Sequence, residues 1–506
     1  MTAVIQKPLV LCISATDPLG LSGVQADLRA LNSMNVHGLS CITATTAQNQ
    51  NEFVALNSVS DEVFSAQLDA IHQQFNITVI KLGLIATASQ FSILKFHPIL
   101  KNAKLVLDPV VHATAGDIEN HKERLAALKS VLPLCSIITP NLDEAKQLCG
   151  SSISHTNDLI ALLLKQGCDA VLLKGGHGEN ASTDVFSDGM VQFYLEHDKH
   201  EHGFSRGTGC TMASLIAGSL ALGASNGDAV TMAKMQMAKG WSQPFAIDDT
   251  SGSLMLNNWV DPIEFAQKIK EQPNGNQSID LPVALPIVYG KSAEKNLSFP
   301  RCDQSLGLYP IFDRAHWLER ILPLGITIAQ LRIKDLQGQA LKDEIQNAVN
   351  IAQKYNCMLF INDYWQLAIE LGAYGVHLGQ EDIDDADLHA ISKAGLRLGL
   401  SSHCFYEVAR AKTIQPSYIA FGPVFETQTK DMPWIPQGPD GLCYWRKHLP
   451  DTPMVAIGGI HGQRFNDVKA TGVDSIAMIT AITLNPEPEE AARKYMEMFG
   501  QPLSLI

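Results

Sequence analysis

The 506-residue sequence predicts an α/β protein in two successive parts, an open α/β sheet followed by a (β/α)8 TIM barrel. Three observations carry this. Apolar, β-rich runs alternate with helical patterns along most of the chain, as in βα units. In the second half eight such runs follow one another within roughly 200 residues, the number that a (β/α)8 barrel needs. Between the halves, Glu271–Ser278 (EQPNGNQS) is polar and rich in turn formers, as a linker is. The domains are therefore expected at 1–268 and 304–506, with 269–303 as linker.

Composition narrows the function classes. Hydrophobic content of 46% with 18% charged residues is ordinary for a globular chain. A formal charge of −14 argues against nucleic acid and offers no basic face to a membrane. The ten cysteines include no C-x-x-C pair, so neither a zinc site nor a disulfide framework is indicated. The apolar run Leu9–Ala15 is too short for a secretion signal, and no run approaches the ~20 residues that span a bilayer. The expectation is a cytoplasmic protein acting on small molecules. Association with further copies of the chain is left open.

In the first half, strands are expected at Leu9–Ala15, Cys41–Ala47, Val79–Leu84, Leu105–Val111, Ser136–Thr139 and Ala170–Lys174, with a hairpin over Phe186–Leu195 around Asp188-Gly189. Strand ends carry the chemistry: Asp108-Pro109, Thr139-Pro-Asn141-Leu-Asp-Glu144 and Lys174-Gly-Gly-His177. Asp17–Asp27 (DPLGLSGVQAD) is a glycine-containing loop entering a helix. Arg206-Gly-Thr-Gly-Cys-Thr211 opens the small-residue helix Met212–Ala221. Glycines at a helix start expose unpaired N–H groups and the positive dipole end, an anion site. Cys210 there is expected to have a lowered pKa. Singly, each feature reads as a cap, a turn or a surface charge.

In the second half the runs begin near Gly307, Thr327, Cys357, Gly375, Arg397, Tyr418, Met454 and Ser475, with helical patterns such as Ile345-Ala348-Val349-Ala352 between them. Phe360–Asp382 is the informative stretch. Strand, helix and strand at this spacing form a right-handed βαβ unit, which puts Asp363 and Asp382 past the carboxyl ends of neighbouring strands. Either Asp alone reads as a helix N-cap. Together they repel unless a cation or proton separates them, and Mg²⁺ shared with a phosphorylated substrate suits that geometry. Asp313, Arg332, Lys334, Ser401, Lys430, Gly458-Gly459 and Thr480 end other strands, so all converge on one mouth.

These residues carry a resemblance. Gln330-Leu-Arg-Ile-Lys334, Ile361-Asn-Asp363, Gly375–Asp382, Gly399-Leu-Ser401, Gly422–Lys430 and Val455–Ile460 resemble thiamine phosphate synthase, in order, across almost all of 306–485. The resemblance implies that Gln330, Arg332, Lys334, Asn362, Ser401 and Lys430 hold the pyrimidine diphosphate, and that Asp363 and Asp382 hold Mg²⁺. It assigns Thr427, Thr429, Gly459, Ile479 and Thr480 to the thiazole phosphate, Thr480 standing where Ser is usual. A thiazole tautomerase shares this fold, but the intact Gly379–Asp382 and Thr427–Lys430 motifs speak against it.

The first half, over about 9–245, resembles the ribokinase-like superfamily and, within it, hydroxymethylpyrimidine and phosphomethylpyrimidine kinase. Gln25-Ala-Asp27, Ile42-Thr-Ala44, Ala47-Gln48-Asn49, Leu107-Asp-Pro109, Thr139-Pro-Asn141 and Gly207-Thr-Gly-Cys-Thr211 carry it. By resemblance Asp27 and Gln48 hold the aminopyrimidine. Asp108, Asn141, Glu144 and Lys174 organise Mg²⁺ and ATP, and Gly207, Gly209 and Cys210 form the catalytic anion hole. Three departures stand out: Leu21 for a loop glycine, Leu84 for Met and Arg206 for His. A Cβ at residue 21 resists positive φ. The two resemblances imply a fusion of consecutive steps of thiamine biosynthesis. The alternatives for the first half are a kinase of a pyridoxal-type vitamer or a non-catalytic pyrimidine-binding module.

Overall fold

The computed structural model describes residues 6–49, 52–111, 121–150, 153, 155–175, 181–198, 204, 206–249, 251–256, 285–303, 305–426 and 436–502. These divide into two compact units. The first comprises the described residues to 256 with 285–290, the second those from 291 onward.

In chain order the first unit contains β1 (Leu9–Ser14), β2 (His37–Ile42), β3 (Ala44–Gln48), β4 (Phe53–Ser58), β5 (Val79–Leu82), β6 (Lys104–Leu107), β7 (Ile137–Ile138), β8 (Val171–Leu173), β9 (Ala181–Ser187), β10 (Gln192–Asp198), β11 (Pro244–Ala246), β12 (Gly252–Leu254) and β13 (Ile287–Tyr289). A nine-stranded sheet runs β13-β10-β9-β8-β7-β6-β5-β1-β2. From β2 to β8 it is parallel, and β9, β10 and β13 join antiparallel.

The expected strand Cys41–Ala47 is in fact two. Thr43 leaves the sheet, and β3 pairs with β4 as a separate ribbon. Of the expected linker 269–303, residues 269–284 lie outside the described residues. Leu285 and Val288 are buried and β13 extends the first sheet, whereas 291–303 packs on the barrel.

Strand alternation places the first chemical group. Leu11, Ile13, Ile80, Leu82, Leu105 and Leu107 enter one core with Phe64 and Phe91. Lys81, between Ile80 and Leu82, therefore faces the other side, where the helix Thr208–Ala221 lies on β1, β5 and β6. That helix is buried throughout Thr211–Leu220, as an almost uncharged, small-residue helix has to be.

The second unit is a closed barrel of β14 (Gly307–Phe312), β15 (Ile328–Leu331), β16 (Met358–Asn362), β17 (Gly375–Leu378), β18 (Arg397–Ser402), β19 (Tyr418–Phe421), β20 (Met454–Ile457) and β21 (Ser475–Met478), as expected. Gly307 pairs with Ser475 to close it. Its interior is filled by Tyr309, Ile328, Met358, Phe360, Tyr418 and Val455, among others. Gly399 is required there, because a Cβ would stand 2.2 Å from the Tyr418 ring.

Candidate active sites

In the first unit the predicted residues gather at the carboxyl ends of the parallel strands. The helix Thr208–Ala221 opens at Gly207, whose φ of 75° and contact with the Leu21 carbonyl leave no room for a Cβ. A Cβ at Gly209 would stand 3.3 Å from Lys174 Nζ and 3.6 Å from Asp108 Oδ1, so Gly209 lets both polar groups approach the helix start. Lys174 Nζ and Asp108 Oδ1 are 3.4 Å apart. Glu144 joins them electrostatically. Burial raises its carboxyl to about 7 against the pull of Lys174. Asn141 precedes its helix and caps it. The Glu144 amide donates to Asn141 Oδ1, and the Asn141 amide to Glu144 Oε2, both at 2.8 Å.

Two expectations change here. Burial pushes the Cys210 thiol up to about 12, against the effect of Lys81 and of a hydrogen bond from the Gly23 amide. Desolvation, the largest influence on this thiol, favours its protonated form at the helix terminus. Leu21 is buried with an ordinary φ, and the left-handed positions fall on Gly20 and Gly23. The loop has its turns at other residues than a loop with glycine at 21 would need.

Asp27 lies beneath this site with no exposed surface. It accepts from Lys81 Nζ and Ser214 Oγ, both at 2.8 Å. Burial raises its carboxyl above the usual carboxylate range, with Lys81 pulling the other way. Both bonds go to Asp27 Oδ1, and Oδ2 is buried with no hydrogen-bond partner among the described residues. Gln48 ends β3 and donates to Thr46 Oγ1. Arg206 ties the loops together: its Nε is 3.6 Å from Asp17 Oδ2 and a terminal nitrogen donates to the Asn49 carbonyl.

The barrel mouth is tighter. Lys334 Nζ lies 2.6 Å from Asp363 Oδ2. Asp363 has φ 65°, uncommon for a residue with a side chain. Its amide donates to the His377 carbonyl and its carbonyl accepts from the Trp365 amide, which hold that conformation. Asp382 accepts from the Gly379 amide at 3.1 Å. Its carboxyl is raised by burial and then by the neighbouring Asp363 carboxylate. Two carboxylates facing each other beside one lysine form a donor set that suits a hard cation.

Gln330 and Asn362 are buried at the same end, Arg332 and Ser401 half-buried. Gly458 and Gly459 both adopt positive φ, and a Cβ at Gly459 would meet the Glu426 carbonyl at 2.5 Å. Ile479 precedes a short helix, Thr480–Thr483, with Thr480 exposed. Thr427, Thr429 and Lys430 lie outside the described residues.

Residues 17–255 match the family profile described as phosphomethylpyrimidine kinase, and 308–482 that of thiamine monophosphate synthase. The thiamine-phosphate synthase of Yersinia pseudotuberculosis serotype O:1b (strain IP 31758) is 51% identical over 200 residues, 40% of this chain and 93% of that one. The chain belongs to the thiamine-phosphate synthase family. Its first half is a phosphomethylpyrimidine kinase domain, and the whole is a bifunctional enzyme of thiamine biosynthesis. Two solved structures are also similar to the kinase half. The pyridoxal kinase from Staphylococcus aureus in complex with AMP-PCP has 26% identity and TM-score 0.44, covering 49% of this chain and 93% of that one. The phosphomethylpyrimidine kinase from Clostridium difficile 630 has 29% identity and TM-score 0.40, covering 45% and 96%.

Sequence reading missed two groups in these domains. In the kinase domain Lys81 is one polar residue in an apolar strand, and a charge at an inward strand position requires a partner. In the synthase domain His377 lies within Gly375–Asp382, and the resemblance assigned it no role. It is buried, hydrogen-bonded to Tyr418 and Ser401, and burial lowers its pKa to about 4.

Proposed function

We propose that the kinase domain phosphorylates hydroxymethylpyrimidine and then its monophosphate with ATP, and that the barrel joins the resulting diphosphate to thiazole phosphate. Both reactions are placed in the cytoplasm, consistent with ten cysteines that are all free thiols. In the kinase step the N–H groups opening Thr208–Ala221, with Lys174, stabilise charge on the transferring phosphoryl group. Asp108 and Glu144 are the carboxylates placed to organise the nucleotide's Mg²⁺. Cys210 acts as a neutral thiol and not as a base.

In the synthase step diphosphate leaves the aminopyrimidine methylene carbon and the thiazole nitrogen attacks that carbon. The pyrimidine delocalises the developing cation, so the protein's main task is to stabilise the departing anion. Arg332, Lys334 and Lys430 supply fixed positive charge. Ser401, Gln330 and Asn362 orient the pyrimidine diphosphate, and the Gly459 and Ile479–Thr480 turns, with Thr427 and Thr429, receive the thiazole phosphate. Asp363 and Asp382 would hold Mg²⁺, which when bound adds Lewis-acid stabilisation of the leaving oxygens.

The observation that carries this reading is the Asp382–Asp363–Lys334 group: two carboxylates made to face each other, one of them on a left-handed backbone. Turnover against Mg²⁺ concentration tests it. Asp363→Asn and Asp382→Asn should each cost on the order of 10²-fold in turnover and raise the Mg²⁺ needed for half-maximal rate, while melting stays near that of the parent. A helix-cap role predicts about 1 kcal/mol of lost stability and an ordinary Mg²⁺ curve.

A further inference from the structure

Five side chains form one hydrogen-bonded file through the barrel. Gln330 Nε2 is 3.4 Å from Tyr309 Oη, and Tyr309 Oη is 2.7 Å from Tyr418 Oη. Tyr418 Oη is 2.9 Å from His377 Nδ1, and His377 Nε2 is 2.9 Å from Ser401 Oγ. The first four are buried; Ser401 is half-buried, at the mouth. The reaction described above uses only the two ends of this file.

Two orders hand one proton from each member to the next along the file. An amide nitrogen only donates, a phenol has one proton to give, and a neutral imidazole carries one N–H. With Gln330 Nε2 donating to Tyr309, Tyr309 donates to Tyr418 and Tyr418 to His377 Nδ1. His377 is then protonated at Nε2 and donates to Ser401 Oγ, so the serine proton has to point elsewhere. If the Gln330 carbonyl faced Tyr309 instead, every bond would reverse and Ser401 would spend its proton on His377. That second order turns serine lone pairs toward the mouth, where Arg332 and Lys334 gather for an anion. The first order turns an O–H donor toward it, and in this setting donors to an anion are worth more than neutral pairs.

We propose that Tyr309 and Tyr418 are positioning residues of the synthase reaction: they fix His377 as its Nε2–H tautomer and so oblige Ser401 to donate its proton to the diphosphate. The proposal rests on the reading that Ser401 contacts the pyrimidine diphosphate. Tyr418 is the key member, because it alone supplies a proton to Nδ1. Tyr309 orders Tyr418 and has the smaller effect.

The test has a structural arm and a kinetic arm. In the full-length protein labelled with ¹⁵N-histidine, the His377 signals, assigned by their loss in His377→Gln, should show a protonated Nε2 and a bare, hydrogen-bonded Nδ1. Tyr418→Phe should mix the tautomers. A parent protein with protonated Nδ1 overturns the proposal whatever the variants do. In synthase assays fed with diphosphate, Tyr418→Phe and Ser401→Ala should each lower kcat/KM by about 10- to 100-fold. Tyr309→Phe should cost less, and the Tyr418→Phe/Ser401→Ala double variant should lose no more than either single one. Losses that multiply overturn the proposal, since Tyr418 would then act independently of Ser401. A silent Ser401→Ala removes the underlying reading of Ser401, and the proposal with it. A wrong tautomer removes the proposal alone.

Discussion

Lys81 and Asp27 meet at 2.8 Å with neither side chain exposed, beneath the helix that opens at Gly207 in the kinase domain. A Cβ at Gly83 would come within 2.8 Å of Lys81 Nζ, so Gly83 leaves room for the ammonium. Removing one partner leaves an uncompensated buried charge. Lys81→Met or Asp27→Leu should destabilise the kinase domain by about 3–5 kcal/mol, and the double variant should recover much of it. Chemical unfolding of the four proteins measures this. Additive losses would mean that the charges do not depend on each other.

A thiol raised to about 12 stays protonated throughout pH 6–9. Its folded pKa lies above that whole window, so no Cys210 ionisation should shape the kinase pH–rate profile, and the thiol should react slowly with iodoacetamide. Cys210→Ser should leave the profile's inflections in place even if it lowers the plateau. An inflection lost in the variant would restore the thiolate role.

Leu21 is 1% exposed and carries no backbone strain. Leu21→Gly should therefore remove packing and not open the loop. The expected cost is on the order of 3 kcal/mol or more in stability, with activity on the alcohol and on the monophosphate falling together. Melting curves and parallel assays on the two substrates decide. A selective gain on the alcohol would show that Leu21 crowds the substrate.

The sequence reading succeeded where periodicity and strand ends coincide. Eight barrel runs, each with polar residues or a glycine pair at its carboxyl end, leave little freedom in topology. It fell short where tertiary burial decides. Nothing local shows that Cys210 and Asp27 are desolvated, because the groups that bury them come from Gly23, Lys81 and Ser214, distant in sequence or on the other side of a strand. The ribbon strand β4, Phe53–Ser58, has no fully buried residue, so it lacks an alternating apolar signal. Leu281–Val288 could be read as apolar but not assigned to a side. For its described part, from residue 285, the pairing of Tyr194 with Tyr289 in β10 and β13 supplies that.

The stretch before the barrel gives a further expectation about domain limits. Glu294 and Arg410, each buried, form a bidentate pair at 2.7 and 3.1 Å, and Arg410 also meets Asp384 at 2.5 Å. A fragment 304–506 would strip Glu294 from that guanidinium. It should be less stable than 291–506 by about 3 kcal/mol or more, while 291–506 and 1–290 should each fold and keep their activity. Equal melting of the two barrel fragments would reduce the Glu294–Arg410 pair to a surface feature.

The central claim is that one chain performs both chemistries in succession, and a single incubation tests it. The full-length protein is supplied with hydroxymethylpyrimidine, ATP, Mg²⁺ and thiazole phosphate, and the products are followed by mass spectrometry with each component omitted in turn. Thiamine phosphate should form only in the complete mixture. Without thiazole phosphate the pyrimidine diphosphate should accumulate, and without ATP nothing should change. Hydroxymethylpyrimidine left untouched by ATP, or purified diphosphate and thiazole phosphate left uncombined, would contradict the account.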